Sequence, residues 1–138
     1  VAYYSADLSF SLKSRIKTGI WLYNLSCTYG FILKSVSFVF CSDEYLLEIN
    51  RKFLRHDDYT DIITFDLSEK KGEICGEIYI SIPRVKENAR NFGVSFYDEL
   101  HRVMAHGILH LCGFKDKTKQ EAKSMRKAEN EALMMRNF

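Results

Sequence analysis

The spacing of apolar positions changes several times along the chain, and each change marks a new element. Over residues 11–28, Leu12, Ile16, Ile20, Leu22, Leu25 and Cys27 recur among polar positions at helical spacing, which predicts a first helix with Gly19 as its weak point. Residues 35–41 (SVSFVFC) switch to strict alternation of Val36, Phe38 and Phe40, the period of a strand with one buried face. Ser42 then fits an N-cap, with Asp43 and Glu44 placed to complement the helix dipole, and this helix is expected to run to about Phe53.

Two more strands are expected at 61–67 (DIITFDL) and 77–81 (EIYIS), joined by a polar segment containing Gly72 that suits an antiparallel hairpin. Pro83, the only proline, belongs in the first turn of a helix ending near Gly93. Ser95 with Asp98, and Thr118 with Glu121, have capping-box spacing and open two further helices. The first of these carries the stripe Leu100, Met104, Ile108 and Leu111; the second carries a thinner one of Ala122, Met125, Ala128, Ala132 and Met135. No linker, repeat or low-complexity tract interrupts the pattern. It predicts a single α+β domain over residues 1–138, with a small sheet from the middle of the chain and helices packed on it.

At 138 residues the chain is long enough to bury a core, and 46% hydrophobic with 28% charged residues is ordinary for a folded domain. A net charge of +2 does not by itself announce a nucleic-acid binder. No apolar run approaches the ~20 residues needed to span a bilayer. The N-terminal VAYYSADLSF lacks the basic and apolar segments of a signal peptide, so a cytoplasmic protein without a membrane partner is expected. Cys27, Cys41, Cys75 and Cys112 are scattered through apolar stretches with no CxxC pair and are expected as reduced, buried thiols.

The stretch that changes this picture is HGILHLCGFKD, residues 106–116. Histidines four apart on a helix lie about 40° apart around its axis and about 6 Å along it, so His106 and His110 can meet one ion. Gly113 tolerates positive φ and can turn the chain back, bringing the Asp116 carboxylate to the same point. Three protein ligands leave the fourth position of a tetrahedral zinc to water, the arrangement of a catalytic site, here at a helix C-terminus. His101 points to another face, and Cys112, about 200° around from His110, should face away. Glu99, two turns before His106, is expected as an ordinary surface glutamate, with a salt bridge or support of a ligand from behind as the alternative. Asp61 either orients a ligand histidine through its ring N–H or caps a strand. His56, Asp57 and Asp58 read as a polar loop.

Metalloproteases of the HExxH type use the glutamate after the first histidine as general base, and that position here is Gly107. Peptide hydrolysis by that route therefore lacks its base, whereas phosphodiester cleavage is compatible with such a site if basic groups hold the phosphate. Lys115, Lys117, Lys119, Lys123, Arg126 and Lys127 put six positive charges into thirteen residues beside the motif, either as a solvated face or as a phosphate-tracking rim. Without an RNP-like aromatic motif, RNA affinity there would be electrostatic and poorly sequence-specific.

With these residues in view, the segment 36–116 resembles the YbeY family of bacterial zinc-dependent endoribonucleases, whose signature is HGxLHLxGYDH. His106, Gly107, Leu109, His110, Leu111 and Gly113 match it, with Phe114 at the tyrosine. Leu47, Asn50 and Phe53 followed by Thr60-Asp61-Ile62-Ile63-Thr64-Phe65 are similar to its LNxxYR…TDVLSF block, and Gly76-Glu77-Ile78-Tyr79-Ile80-Ser81 to its GDIxIS strand. The resemblance implies single-strand-specific RNA cleavage in ribosomal RNA maturation and ribosome quality control. Single-stranded or ribosomal RNA and the ribosome would be its partners, in the cytoplasm. It also implies a mixed four-stranded sheet with about five helices.

Two departures stand out. The family's third metal ligand is usually histidine and here is Asp116, preceded by Lys115; a carboxylate can ligate zinc and also admits other, harder divalent ions. The arginine of the LNxxYR block falls at Leu54, which leaves neighbouring Arg55, together with Lys115, as candidate phosphate contacts. Two alternatives accompany the endoribonuclease reading: a metalloprotease-like zinc hydrolase, and a non-catalytic ribosome-associated RNA-binding protein whose metal is structural. Whether water or the ribose 2′-OH attacks stays open.

Overall fold

In a computed structural model describing residues 1–138, nine elements follow one another: β1 (Ala2–Ser5), α1 (Arg15–Thr28), β2 (Ile32–Cys41), α2 (Asp43–Leu54), β3 (Ile62–Asp66), β4 (Glu73–Ser81), α3 (Ile82–Phe92), α4 (Phe96–Leu111) and α5 (Lys119–Met134). The strands form one mixed sheet in the order β1-β2-β4-β3, with β1 and β4 parallel to β2 and only β3 antiparallel to β4. The expected mixed four-stranded sheet with five helices is therefore present, as is the β3–β4 hairpin with Gly72 at φ 84°.

Alternation along β2 and β4 builds the main core. Val36, Phe38 and Phe40 of β2 and Ile74, Ile78 and Ile80 of β4 all point to one face and are almost wholly buried. The register places Phe38 opposite Ile78 on one side and Tyr3 of β1 on the other. Helix α4 lies on this face, burying Leu100, Met104, Ile108 and Leu111 as its stripe predicts, with Val103 and Leu109 beside them. The opposite face carries a smaller cluster of Cys41 and Ile63 under Leu46 of α2.

Several expectations are corrected. The first helix starts at Arg15, and its buried face is Thr18, Trp21, Leu22, Leu25 and Ser26; Ile16 and Ile20 point outward. Trp21 decides this orientation, because its indole N–H donates to the Ala132 carbonyl at 2.8 Å and ties α1 to the end of α5. Strand β1 has no alternation to announce it, since it is a four-residue edge strand whose backbone pairs with β2 alone. Strands β2 and β4 begin several residues before their regular alternation does. In α5, Ala122 and Met135 are exposed, which narrows the apolar stripe to Met125, Ala128 and Ala132. All four thiols are free, but only Cys41 is buried; Cys27 is exposed.

Two glycines set how closely the layers approach. A Cβ at Gly76 would lie 2.6 Å from the Phe65 carbonyl oxygen of β3 and 3.1 Å from Leu111 of α4. One at Gly107 would lie 2.8 Å from Ile78 and 3.1 Å from Ile62. Gly107 therefore lets α4 rest directly on the sheet.

His101, on the α1 side of α4, is 5% exposed and packs between Trp21 and Phe138, with ring centroids 5.4 Å away in each case. Its Nδ1 accepts from Arg136 at 2.8 Å. Burial, reinforced by that guanidinium, pushes its pKa down to about 4. The ring is thus neutral when folded and free to protonate when unfolded.

Two outcomes follow from this packing. Gly76→Ala should destabilise the fold by about 1–3 kcal/mol, because the nearest obstacle is backbone and cannot swing aside; a lowered urea midpoint with unchanged slope would register it. Stability should also fall as pH drops from about 6.5 toward 4, since the unfolded chain binds a proton at His101 that the native chain refuses. Urea titrations between pH 6.5 and 5 should show that loss in the native sequence and a shallower one in His101→Phe.

Candidate metal centre

Helix α4 is cut to length by its ends. The Ser95 hydroxyl accepts from the Asp98 N–H at 3.0 Å, and Asp98 and Glu99 sit in the first turn. At the other end Gly113 adopts φ 98°, and the Phe114 N–H closes back onto the Leu109 carbonyl at 3.0 Å. This left-handed turn reverses the chain and swings Asp116 over the last two turns of the helix.

The result brings His106, His110 and Asp116 together, one donor atom from each lying within 4.8 Å of the others. Asp116 Oδ2 is 3.4 Å from the Nε2 atoms of both His106 and His110. In a tetrahedral zinc site with bonds of about 2.0–2.1 Å, neighbouring donors are about 3.3–3.4 Å apart, so these two separations match its edges. Two imidazole nitrogens and a carboxylate oxygen are also a donor set that zinc accepts.

Both rings are held in the tautomer that ligation needs. His110 Nδ1 lies 2.9 Å from the Phe114 carbonyl, which can only accept, so Nδ1 carries a proton and Nε2 is the nitrogen turned toward Asp116. Phe114 is itself anchored by an edge-on contact with Tyr29, centroids 5.0 Å apart. His106 Nδ1 lies 2.6 Å from Oε2 of Glu129 on α5 and must donate to it in the same way.

Glu129 is 2% exposed and belongs to a buried ionic chain. Its Oε1 accepts from Arg102 at 2.8 Å, and the same guanidinium makes a second, two-pronged pair with Glu99. Burial alone would raise the Glu129 pKa, but hydrogen bonds from His106 and Arg102 outweigh it and hold the carboxyl below its usual range. Burial likewise opposes the Arg102 charge, and its two carboxylate partners more than restore it.

Glu99 is therefore not the surface glutamate its position suggested; at 2% exposure it neutralises Arg102. Asp61 orients neither histidine. Its backbone carbonyl accepts from the Ser81 N–H at 3.0 Å and its carboxylate meets Asn88, so it secures the start of β3. Asn50 holds the intervening loop through a 2.7 Å bond to the Asp58 carbonyl. Asp57 pairs with Arg51, which leaves the 56–58 run as the polar loop expected.

The three converging residues open on two sides. Toward α5 lies a cavity of about 220 Å³ lined among others by Asp61, Arg102, His106, Asp116, Arg126 and Glu129. Toward β3 and the α2 loop lies a groove of about 940 Å³, lined among others by Leu54, His56, Asp61, His110 and Lys117. Arg55 is exposed at φ 55°, between the lining residues Leu54 and His56 but not lining the groove itself; Lys115 is likewise exposed beside Asp116.

Glu129 is the residue the sequence reading missed. Met125, Ala128, Glu129 and Ala132 fall at i, i+3, i+4 and i+7, so a carboxylate sits inside the apolar stripe of α5. A charge in that place needs a buried partner, and that was the available signal.

Fold and site together define an α+β domain with a possible open, two-histidine, one-carboxylate metal centre at the end of its central helix. Residues 9–137 match the family model described as Endoribonuclease YbeY. The chain is 48% identical over 138 residues to the Endoribonuclease YbeY of Cytophaga hutchinsonii, covering 100% of this chain and 96% of that protein. It is 48% identical over 125 residues to the one from Bacteroides thetaiotaomicron, covering 91% and 90%. Among solved structures, the solution structure of TM1509 from Thermotoga maritima aligns with a TM-score of 0.66 at 27% identity, covering 98% of this chain and 88% of that one. The chain belongs to the Endoribonuclease YbeY family. No helix is long and apolar enough to cross a membrane.

Because Glu129 fixes the His106 tautomer, Glu129→Gln should weaken metal binding by about 10–100-fold. Competition with a chromophoric chelator would measure the shift, and an unchanged affinity would remove Glu129 from the site.

Proposed function

We propose that the chain is a zinc-dependent, single-strand-specific endoribonuclease, with His106, His110 and Asp116 holding the metal. Ribosomal RNA during maturation and ribosome quality control would be its substrate, in the cytoplasm. The observation that carries this reading is the convergence of two Nε2 atoms and one carboxylate oxygen, with 3.4 Å edges, beside an open groove.

When bound, the metal supplies Lewis acidity toward a phosphoryl oxygen and a water of lowered pKa. The chain's own groups do the rest. Glu129 and the Phe114 carbonyl keep the two rings aimed, so little reorganisation is left for the reaction itself. Asp116, 40% exposed in its side chain, leaves an approach for a phosphodiester. Arg55 and Lys115 add positive charge near the groove for incoming phosphates.

The protease alternative loses further ground in three dimensions. Gly107 faces Ile78 and Ile62 of the sheet, so a glutamate there would collide with the core before it reached the metal. A purely structural metal is disfavoured because only three protein donors converge and the centre is open on two sides.

Metal analysis of the purified chain should find about one zinc per molecule, with cleavage of a labelled single-stranded RNA. His110→Ala and Asp116→Ala should each lose metal and cleavage together. Stoichiometric zinc with unchanged cleavage in both would overturn the ligand assignment.

A further inference from the structure

The two openings beside the metal centre differ in charge. The groove toward β3 is lined by Asp58, Asp61 and Asp66, and apart from His106 and His110 of the centre itself the basic groups there are Lys117 and His56. The cavity toward α5 shares Asp61, His106 and Asp116 with the groove and adds Glu129, but it alone contains guanidinium groups, from Arg102 and Arg126.

These two arginines are in different situations. Arg102 is 14% exposed and spends its donors on Glu99 and Glu129. Arg126 is 53% exposed, and its one ionic neighbour, Glu129 Oε1, lies 3.6 Å away and already accepts from Arg102 at 2.8 Å. Arg126 makes no side-chain hydrogen bond within the protein. Its planar fork of donors is thus held beside the centre on a capped helix, with its hydrogen-bonding capacity unspent. Of the six cations between residues 115 and 127, Arg126 alone lines this cavity.

We propose that Arg126 is a substrate-positioning residue that takes a backbone phosphate of single-stranded RNA on the α5 side of His106 and Asp116. The inference rests on the endoribonuclease reading and adds a direction to it: the phosphate adjoining the reacting one lies toward α5, and the acid-lined groove receives sugar and base. The guanidinium contributes binding and register, and no proton transfer is asked of it.

The test compares the native chain with Arg126→Ala and Arg126→Lys, each loaded with zinc, with Lys17→Ala on α1 as a charge-matched control. A labelled single-stranded RNA is cleaved across a series of salt concentrations, and metal content is measured on the same samples. Arg126→Ala should raise KM about tenfold with kcat nearly unchanged, the size expected for losing a hydrogen bond to a charged group. Its KM should also depend less steeply on salt, by about 0.7 in the log–log slope, as one single-strand phosphate contact predicts. Arg126→Lys should restore the slope and part of the affinity.

An Arg126→Ala variant with native KM and salt slope would overturn the proposal. So would loss of metal in step with activity, because Arg126 would then act only by supporting Glu129. If the native chain, loaded with metal, cleaves no single-stranded RNA, the endoribonuclease reading fails instead. Binding isotherms of the same RNA then decide Arg126 separately, with equal affinity in the native chain and Arg126→Ala counting against it.

Discussion

The contact on which the rest depends is the 2.6 Å hydrogen bond between His106 Nδ1 and Glu129 Oε2. It joins the central helix to the last one, and it does so with a carboxylate buried where water cannot compensate it. Arg102 makes that burial tolerable, and Glu99 in turn neutralises Arg102. Removing one member of such a chain leaves an uncompensated charge in the interior, which typically costs 3–5 kcal/mol. The packing of α5 on α4 and the aim of a candidate ligand are therefore one energetic unit.

The sheet side of α4 imposes the complementary constraint. Gly107 permits contact with Ile78 and Ile62, and Gly76 permits contact with Leu111. The histidines occupy the flank of a helix whose height above the sheet is set by absent side chains. A ligand set displaced by half an ångström would no longer match the edges of a tetrahedron, so the glycines belong to the site's geometry although neither touches it.

Much of this was legible in the sequence. Alternation in 35–41 and the stripe of α4 identified the core, and the HGILHLCGFKD run identified the converging trio, because both are local patterns with a fixed period. What escaped depended on distant partners. Strand β1 is defined only by its pairing with β2. Ile16 and Ile20 have core chemistry, yet the tie from Trp21 to Ala132 turns them outward. Glu99 and Glu129 are on different helices, joined through Arg102, and Glu129 reaches His106 only when α5 packs on α4. Arg55 and Lys115 were picked out individually as neighbours of a motif, whereas Arg126, which lines the cavity beside the centre together with Arg102, stood only as one of six cations in a run read as a solvated face or a phosphate-tracking rim.

All three converging residues come from eleven consecutive positions, 106–116, and one of the two ring locks, the Phe114 carbonyl, comes from the same stretch. The other arrives only when α5 docks. During folding, half of the centre can thus assemble as soon as α4 and its turn form, a short-range event with little loop-closure entropy. Completion of the centre reports that the C-terminal helix has closed, so a partly folded or C-terminally trimmed chain would hold its metal loosely.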